Sequence, residues 1–376
     1  MDQVQREDDA PIVRRLRYFL GNAVMVAATV FVITAFGQQP ASQNTYSESG
    51  VYKPRAIPQR DPKKKDDQGT TAAVVSDGKP MHVRVSVLDS NWKPVAGLTK
   101  GDFKLFVDDQ ETEIASVETS SEPTNYVFMI DTSVSATMAI KDLVTEVERV
   151  VDQLAPGDRT MAIAFSERLR VISVTTNDRE KLRRAIRKAV ANPESGTSIY
   201  DHIQYLSGSV PPKLSERAVV ILFTDGVDTT SRKAKFDTSL AAAESSDAAY
   251  YVIYLDTLPF ALANATRVNQ NLRNLPVPVG IKPTDPKQLR QDYQLGLNYL
   301  NDLMALSGGH TAVSAPVLGS KAMLSSELPA EVRSQYVITF TPRPGGVVGQ
   351  RRQLNVRVNR PNLAVVARGS FITPGN

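Results

Sequence analysis

Apolar and polar residues change rhythm along this chain, and each change predicts a different kind of element. From Met81 the pattern alternates, with Val83, Val85 and Val87 separated by His82, Arg84 and Ser86, as in a strand buried on one face. Phe103 to Val107 and Glu113 to Val117 read as two more short strands. Tyr126 to Ile130 is instead a continuous apolar run, the mark of a strand buried on both faces. Met161 to Phe165, Ala218 to Phe223 and Ala249 to Leu255 repeat it. Helical stripes lie between these runs. Ile140, Leu143, Val144, Val147, Val151 and Leu154 fall on one face, and so do Leu182, Ala185, Ile186, Ala189 and Val190. An Ala-rich helix is expected around Thr238 to Ser245, and a long one from Asp285 to Leu306, stopped by Gly308 and Gly309. Phe260 to Thr284 reads as an irregular insertion. The alternating style returns at the end, with Gln335 to Thr341, Leu354, Val356 and Val358, and Ala364 to Phe371.

Strand–helix alternation over residues 125–334 predicts an α/β fold, a doubly wound and mostly parallel sheet between helical layers. The strand groups at 80–124 and 335–376 are expected to pair into a smaller flanking β-sandwich. Residues 38–79 are rich in Pro, Gln, Ser, Asp and Lys without apolar periodicity, and read as a solvated linker.

Residues 1–37 carry an export pattern. Arg14, Arg15 and Arg17 precede an uncharged run from Tyr18 to Gly37. Its small residues Ala35 and Gly37 suit signal cleavage, and its length of about 20 residues suits a retained membrane anchor. Either way the rest of the chain is expected outside the cytoplasm, in the periplasm, in the cell envelope or secreted.

The formal charge of +4 over 376 residues is small. The densest basic stretch, Arg179 to Lys188, contains Glu180 placed to pair with Arg183 and Arg184, which favours a solvated helix face over a nucleic-acid surface. The absence of cysteine excludes disulfides, thiolate nucleophiles and zinc–thiolate sites. Of the three histidines, His202 is expected to be packed or at the surface, and no Gly-x-Ser-x-Gly elbow points to a serine hydrolase. Trp92 is expected to pack at a turn.

In open α/β sheets, sites form beyond the carboxyl ends of the strands. There the sequence places Asp131, Ser133 and Ser135 after one strand and Asp225 after another, with Thr197 in a loop before a helix. Two carboxylates and three hydroxyls are hard oxygen donors, suited to an octahedral Mg²⁺ or Mn²⁺ ion completed by water. Taken singly, these residues are equally suited to helix caps and turns.

This five-part pattern, within Phe128-Met129-Ile130-Asp131-Thr132-Ser133 and Phe223-Thr224-Asp225-Gly226, resembles the metal-ion-dependent adhesion site of von Willebrand factor type A domains. More loosely, the flanks resemble a bacterial group related to that family, through Lys93 to Thr99, Asp102-Phe103, Tyr336 and Ala367-Arg368-Gly369. The resemblance implies a Rossmann-like domain over residues 125–334. It implies that Ser133, Ser135 and Thr197 touch the ion, while Asp131 and Asp225 bind it largely through water. Asp228 would support the site or serve as a plain loop acid. Such an ion attracts an anionic oxygen, so the expected function is metal-dependent gripping of a partner protein's Asp or Glu carboxylate, without catalysis. Two alternatives stand beside it: a metal-dependent phosphohydrolase, for which Ser133 replaces the needed second carboxylate, and a regulatory subunit of a larger ATPase-linked complex.

Overall fold

The structure is a computed structural model that describes residues 79–120, 123–209, 218–274, 284–313, 323–343 and 347–373. The export pattern and the linker lie outside the described residues, apart from Lys79. In chain order the strands are β1 (Met81–Leu88), β2 (Phe103–Val107), β3 (Gln110–Thr112), β4 (Ile114–Thr119), β5 (Asn125–Asp131), β6 (Arg159–Phe165), β7 (Leu169–Thr176), β8 (Ala218–Thr224) and β9 (Ala249–Tyr254). They continue with β10 (Thr311–Val313), β11 (Met323–Leu324), β12 (Tyr336–Phe340), β13 (Arg351–Val358), β14 (Ala364–Ala367) and β15 (Ser370–Ile372). The helices are α1 (Val134–Thr137), α2 (Ile140–Gln153), α3 (Arg179–Val190), α4 (Ile199–Ser209), α5 (Phe236–Ser245), α6 (Leu258–Asn274), α7 (Pro286–Ser307) and α8 (Leu328–Arg333).

The central sheet has seven strands in the order β11-β10-β9-β8-β5-β6-β7, all parallel except β7, which runs antiparallel to β6. The continuous apolar runs are explained by the layers on both faces. Tyr126, Phe128 and Ile130 of β5 join Val219, Ile221 and Phe223 of β8 in a core with Leu143 and Val147 of α2, Leu182 and Ile186 of α3, and Leu328 of α8. Val127 and Met129, one residue out of phase, face the other way with Val220 and Leu222. There they meet Ile199 and Ile203 of α4, Leu240 of α5 and Tyr299, Leu300 and Leu303 of α7. Each such fully buried apolar side chain contributes about 1.5–3 kcal/mol relative to exposure.

The alternating segments build two four-stranded sheets, ordered β14-β1-β12-β4 and β15-β13-β2-β3. Val83, Val85 and Val87 face Phe103, Leu105, Ile338, Phe340, Leu354 and Phe371 in a shared core. The two ends of the described chain therefore form one antiparallel β-sandwich. Tyr336 locks its entrance segment: its hydroxyl donates to the Val95 carbonyl at 2.8 Å and accepts the Leu98 N–H at 3.1 Å.

The sandwich is bonded to the α/β part through buried acids. Glu244 of α5, fully buried, accepts from Arg351 and from the Ser370 hydroxyl. Glu331 of α8 accepts from the Ser86 hydroxyl and stands 3.6 Å from His310. Gln335 reaches both Ser86 at 3.0 Å and Tyr251 at 2.8 Å.

Two sequence expectations are corrected. The supposed irregular insertion at Phe260 begins inside a regular helix, α6, which carries few buried side chains and so shows no stripe. A membrane-spanning helix has no counterpart among the described residues, where no helix is long and apolar enough to cross a bilayer. The run from Tyr18 to Gly37 lies outside them.

Candidate functional site

β5 and β8 are parallel neighbours, with Ile130 opposite Phe223, so Asp131 and Asp225 leave the sheet side by side. Both carboxyl groups are buried. The backbone folds back onto each. Asp131 Oδ1 accepts the Ser133 N–H at 2.9 Å, and Asp225 Oδ1 accepts the Val227 N–H at 3.1 Å. Their other oxygens accept hydroxyl protons, Asp131 Oδ2 from Thr224 at 2.6 Å and Asp225 Oδ2 from Thr257 at 2.7 Å. Because Thr257 gives its single proton to Asp225, the Tyr293 hydroxyl, 2.7 Å away, donates to Thr257. A chain of hydroxyls thus ties Asp225 to α7.

Ser133 is the N-cap of α1, its Oγ accepting the Ala136 N–H at 3.3 Å, and it lies 3.1 Å from the Ser135 hydroxyl. Ser135 stands close enough to Asp225 to counter, in part, the rise of its carboxyl. Thr197 is buried in the loop before α4. Its N–H meets Thr229 Oγ1 at 2.9 Å and its carbonyl accepts the N–H groups of Thr229 and Thr230. The same loop is laced to the first by Glu194, whose N–H donates to the Thr132 carbonyl and whose carbonyl accepts from Val134. Gly196, at φ +73, leaves no room for a side chain: a Cβ would stand 2.7 Å from the Thr230 methyl. The five residues singled out in the sequence therefore lie on three interlaced loops at one end of the sheet.

Burial, then the negative charge of Asp225, pushes the Asp131 carboxyl up to about 7, against the opposing hydrogen bonds of Ser133 and Thr224. Asp225 is raised as well, first by burial. Tyr293 is pushed up to about 12 by burial and by the charge of Asp225.

The metal expectation is corrected. Among the described residues no group of three or more His, Cys, Asp or Glu side chains could hold a metal ion. The two carboxyls are alone, and each of their oxygens already accepts a hydrogen bond from the protein. The residues do not fit Mg²⁺ or Mn²⁺, and the partner carboxylate that would have completed such an ion falls with it.

Asp228 is a loop acid: it accepts from the Tyr200 N–H at 3.2 Å, the Ser231 N–H at 3.2 Å and the Ser231 hydroxyl at 2.5 Å. His202 is buried, with Nε2 3.0 Å from the Ser166 carbonyl. Asp201 accepts three consecutive N–H groups, from Arg232, Lys233 and Ala234. Burial alone would raise its carboxyl, but the bonds from Ala234, Arg232 and Lys233 outweigh that and hold it below the usual range. Its position in the first turn of α4 is the only signal the sequence offers. Thr257 and Tyr293 were likewise missed, since nothing local marks either.

The sequence profile of the von Willebrand factor type A domain matches residues 126–227. No curated protein matches the chain. Among solved structures, the conserved hypothetical protein BatB from Bacteroides thetaiotaomicron is 17% identical, covering 56% of this chain and 100% of its own, with a TM-score of 0.36. A von Willebrand factor type A protein from Catenulispora acidiphila is 14% identical, covering 81% and 74%, with a TM-score of 0.31. The vWF domain of the type V pili tip protein Mfa5 from Porphyromonas gingivalis is 21% identical, covering 30% and 40%, with a TM-score of 0.25. At these scores the profile match, and not the structural likeness, bears the assignment.

Proposed function

The chain carries a von Willebrand factor type A domain, and from that premise we propose that it is a subunit of a larger protein assembly, docking through the carboxyl-end face of its seven-stranded sheet. Domains of this family are non-catalytic protein-interaction modules, and the chain is not an enzyme. The phosphohydrolase alternative is thereby set aside, and of the alternative that read the chain as a regulatory subunit of a larger ATPase-linked complex, the membership of a larger complex is kept as the main reading.

One observation carries it. Large apolar side chains are exposed on the segments that follow the buried carboxyl pair: Val134 and Met138 beside the Asp131 loop, and Phe260 in the first turn of α6 just after Thr257. An apolar rim around a satisfied polar centre is the composition of a protein-binding surface. In this reading Asp131, Ser133, Ser135, Thr197 and Asp225 hold the three loops in register beneath the rim, and the contact needs no ion. The arginine-led apolar run at residues 18–37 supports an address outside the cytoplasm for this assembly.

The test is photo-crosslinking in the native cells, with a benzophenone amino acid placed at position 134, 138 or 260, and at exposed Val347 in the sandwich as the control. A discrete protein adduct from the rim positions, absent from position 347 and persisting in chelator, is expected. Adducts lost in chelator, or formed only from position 347, overturn the proposal.

A further inference from the structure

A buried acid needs a matching base, and Glu331 of α8 is fully buried. One of its carboxylate oxygens accepts from the Ser86 hydroxyl of β1. The other stands 3.6 Å from Nε2 of His310, which is itself only 8% exposed. Among the described residues Glu331 pairs with no lysine or arginine. Arg333 of the same helix is taken by Asp158 at 3.2 Å, and Lys93 by Glu327. Arg149 of α2 serves Glu146, and Arg368 donates to the carbonyls of Ser370 and Glu244. Arg84, on the same face of β1 as Ser86, lies beyond pairing distance of Glu331. The other titratable neighbours are phenols. Burial, then the charge of Glu331, holds Tyr251 well above its usual range, and burial, then the charge of Asp158, does the same for Tyr126. Both stay neutral, so among these groups the imidazole is the one that can set a positive charge against Glu331.

His310 has no room to retreat. Gly309 before it is pressed onto β9, where a Cβ would stand 1.8 Å from the Tyr250 carbonyl oxygen. The His310 carbonyl accepts the Val252 N–H from the same strand. Its ring meets Tyr251 edge-on with centroids 5.2 Å apart, and lies 6.0 Å from the ring of Trp92. Trp92 belongs to the turn after β1 and sits at φ +61, a strained value for a residue with a side chain. Asp89 holds that turn, its Oδ1 accepting the N–H groups of Asn91 and Lys93 and its carbonyl that of Trp92. One imidazole thus meets the acid of α8, strand β9 and a turn of the sandwich.

We infer that His310 and Glu331 form a proton-held latch between the sandwich and the α/β part. With a proton on His310 the two are a compensated buried pair, and Ser86 and Trp92 stay docked. Without it Glu331 is a lone buried anion, and water enters the seam to hydrate it, lifting the Trp92 turn. The unfolded chain hydrates both groups, so the folded pair holds the proton more tightly. Its stabilisation is full in mild acid and is lost as pH rises through the transition of the pair. The device is separate from the loop face at the carboxyl end of the sheet and does not depend on what docks there.

Trp92 is the only tryptophan of the chain, so its emission reads this seam alone. We expect the full chain to show a one-proton change in that emission between about pH 6 and 9, shifting to the red as the proton leaves. His310→Gln should abolish the change, which separates it from the proton on Asp131. Glu331→Gln keeps an acceptor for Ser86 but removes the charge, and should move the transition down by about one pH unit, a tenfold weaker hold on the proton. The imidazole resonances of the parent give the same answer without any substitution: one of the three histidines must titrate in step with the emission. No emission change in the folded parent, the same transition in His310→Gln, an unmoved transition in Glu331→Gln, or no histidine titrating with Trp92 each overturn the inference.

Discussion

Gly296 of α7 lies against Gly226 so closely that a Cβ on Gly296 would stand 2.5 Å from the Gly226 carbonyl oxygen. Gly226 itself sits at φ +77, where a side chain is strained, and it follows Asp225 directly. Backbone packed on backbone leaves nothing to give way, so Gly296→Ala is expected to cost about 1–3 kcal/mol. Urea denaturation measures the loss, and amide exchange at residues 225–227 should quicken with it. An alanine variant as stable as the parent would show that the helix and the loop are not in this contact.

The buried carboxyl pair predicts an unusual pH profile. Asp131 is raised from 3.8 to about 7, so between those values the folded chain keeps a proton that the unfolded chain releases. Its contribution to stability is fully present below about pH 4 and is lost as pH rises through about 7. Asp131→Asn holds the position neutral at every pH. The slope is the readout: denaturation midpoints of the parent should fall more steeply than those of the variant over this window. Parallel profiles would mean that Asp131 is ionised throughout.

The seam between the sandwich and the α/β part rests on Glu244. Its carboxylate is fully buried, while Arg351 keeps 21% of its side chain exposed. Glu244→Ala leaves Arg351 and the Ser370 hydroxyl facing a void. We expect a loss of about 3 kcal/mol, the lower end of what breaking a buried pair costs, since Arg351 recovers some hydration. Limited proteolysis should then cut within residues 347–373 before it cuts the central sheet. A loss below about 1 kcal/mol would contradict a buried pair.

Much of the architecture was legible in the residues. The runs that became β5, β8 and β9 are apolar at every position because helices cover both faces, and the stripes of α2 and α3 mark the helices that cover one of them. Gly308, at φ +83, ends α7 as its sequence position implied. β7 escaped notice because an edge strand with exposed Val171 and Val174 shows no clean alternation. The candidate site was legible as a place and not as a chemistry. Parallel strands bring Asp131 and Asp225 together wherever β5 and β8 are neighbours. Whether their oxygens stay free depends on Thr224, 93 residues from Asp131, and on Thr257, 32 from Asp225. No local pattern announces such partners, so the carboxylate oxygens that looked like ligands for an ion could not be seen to be committed within the protein.

The pairing of β1 with β12 and β14, and of β2 with β13, has a consequence in time. A chain emerging from its N-terminal end presents the valine-lined strands of residues 81–119 long before residues 336–372 exist to cover them. The α/β part between them can complete its own sheet first, and in doing so brings the two distant segments within reach of each other. The sandwich is therefore expected to close last, which pulse-labelled amide exchange during refolding would show as late protection of residues 81–88 and 351–358. Any chain interrupted before β13 leaves β2 without its partner and an apolar face uncovered, which makes this small sandwich a built-in mark of whether the larger part between its strands was finished.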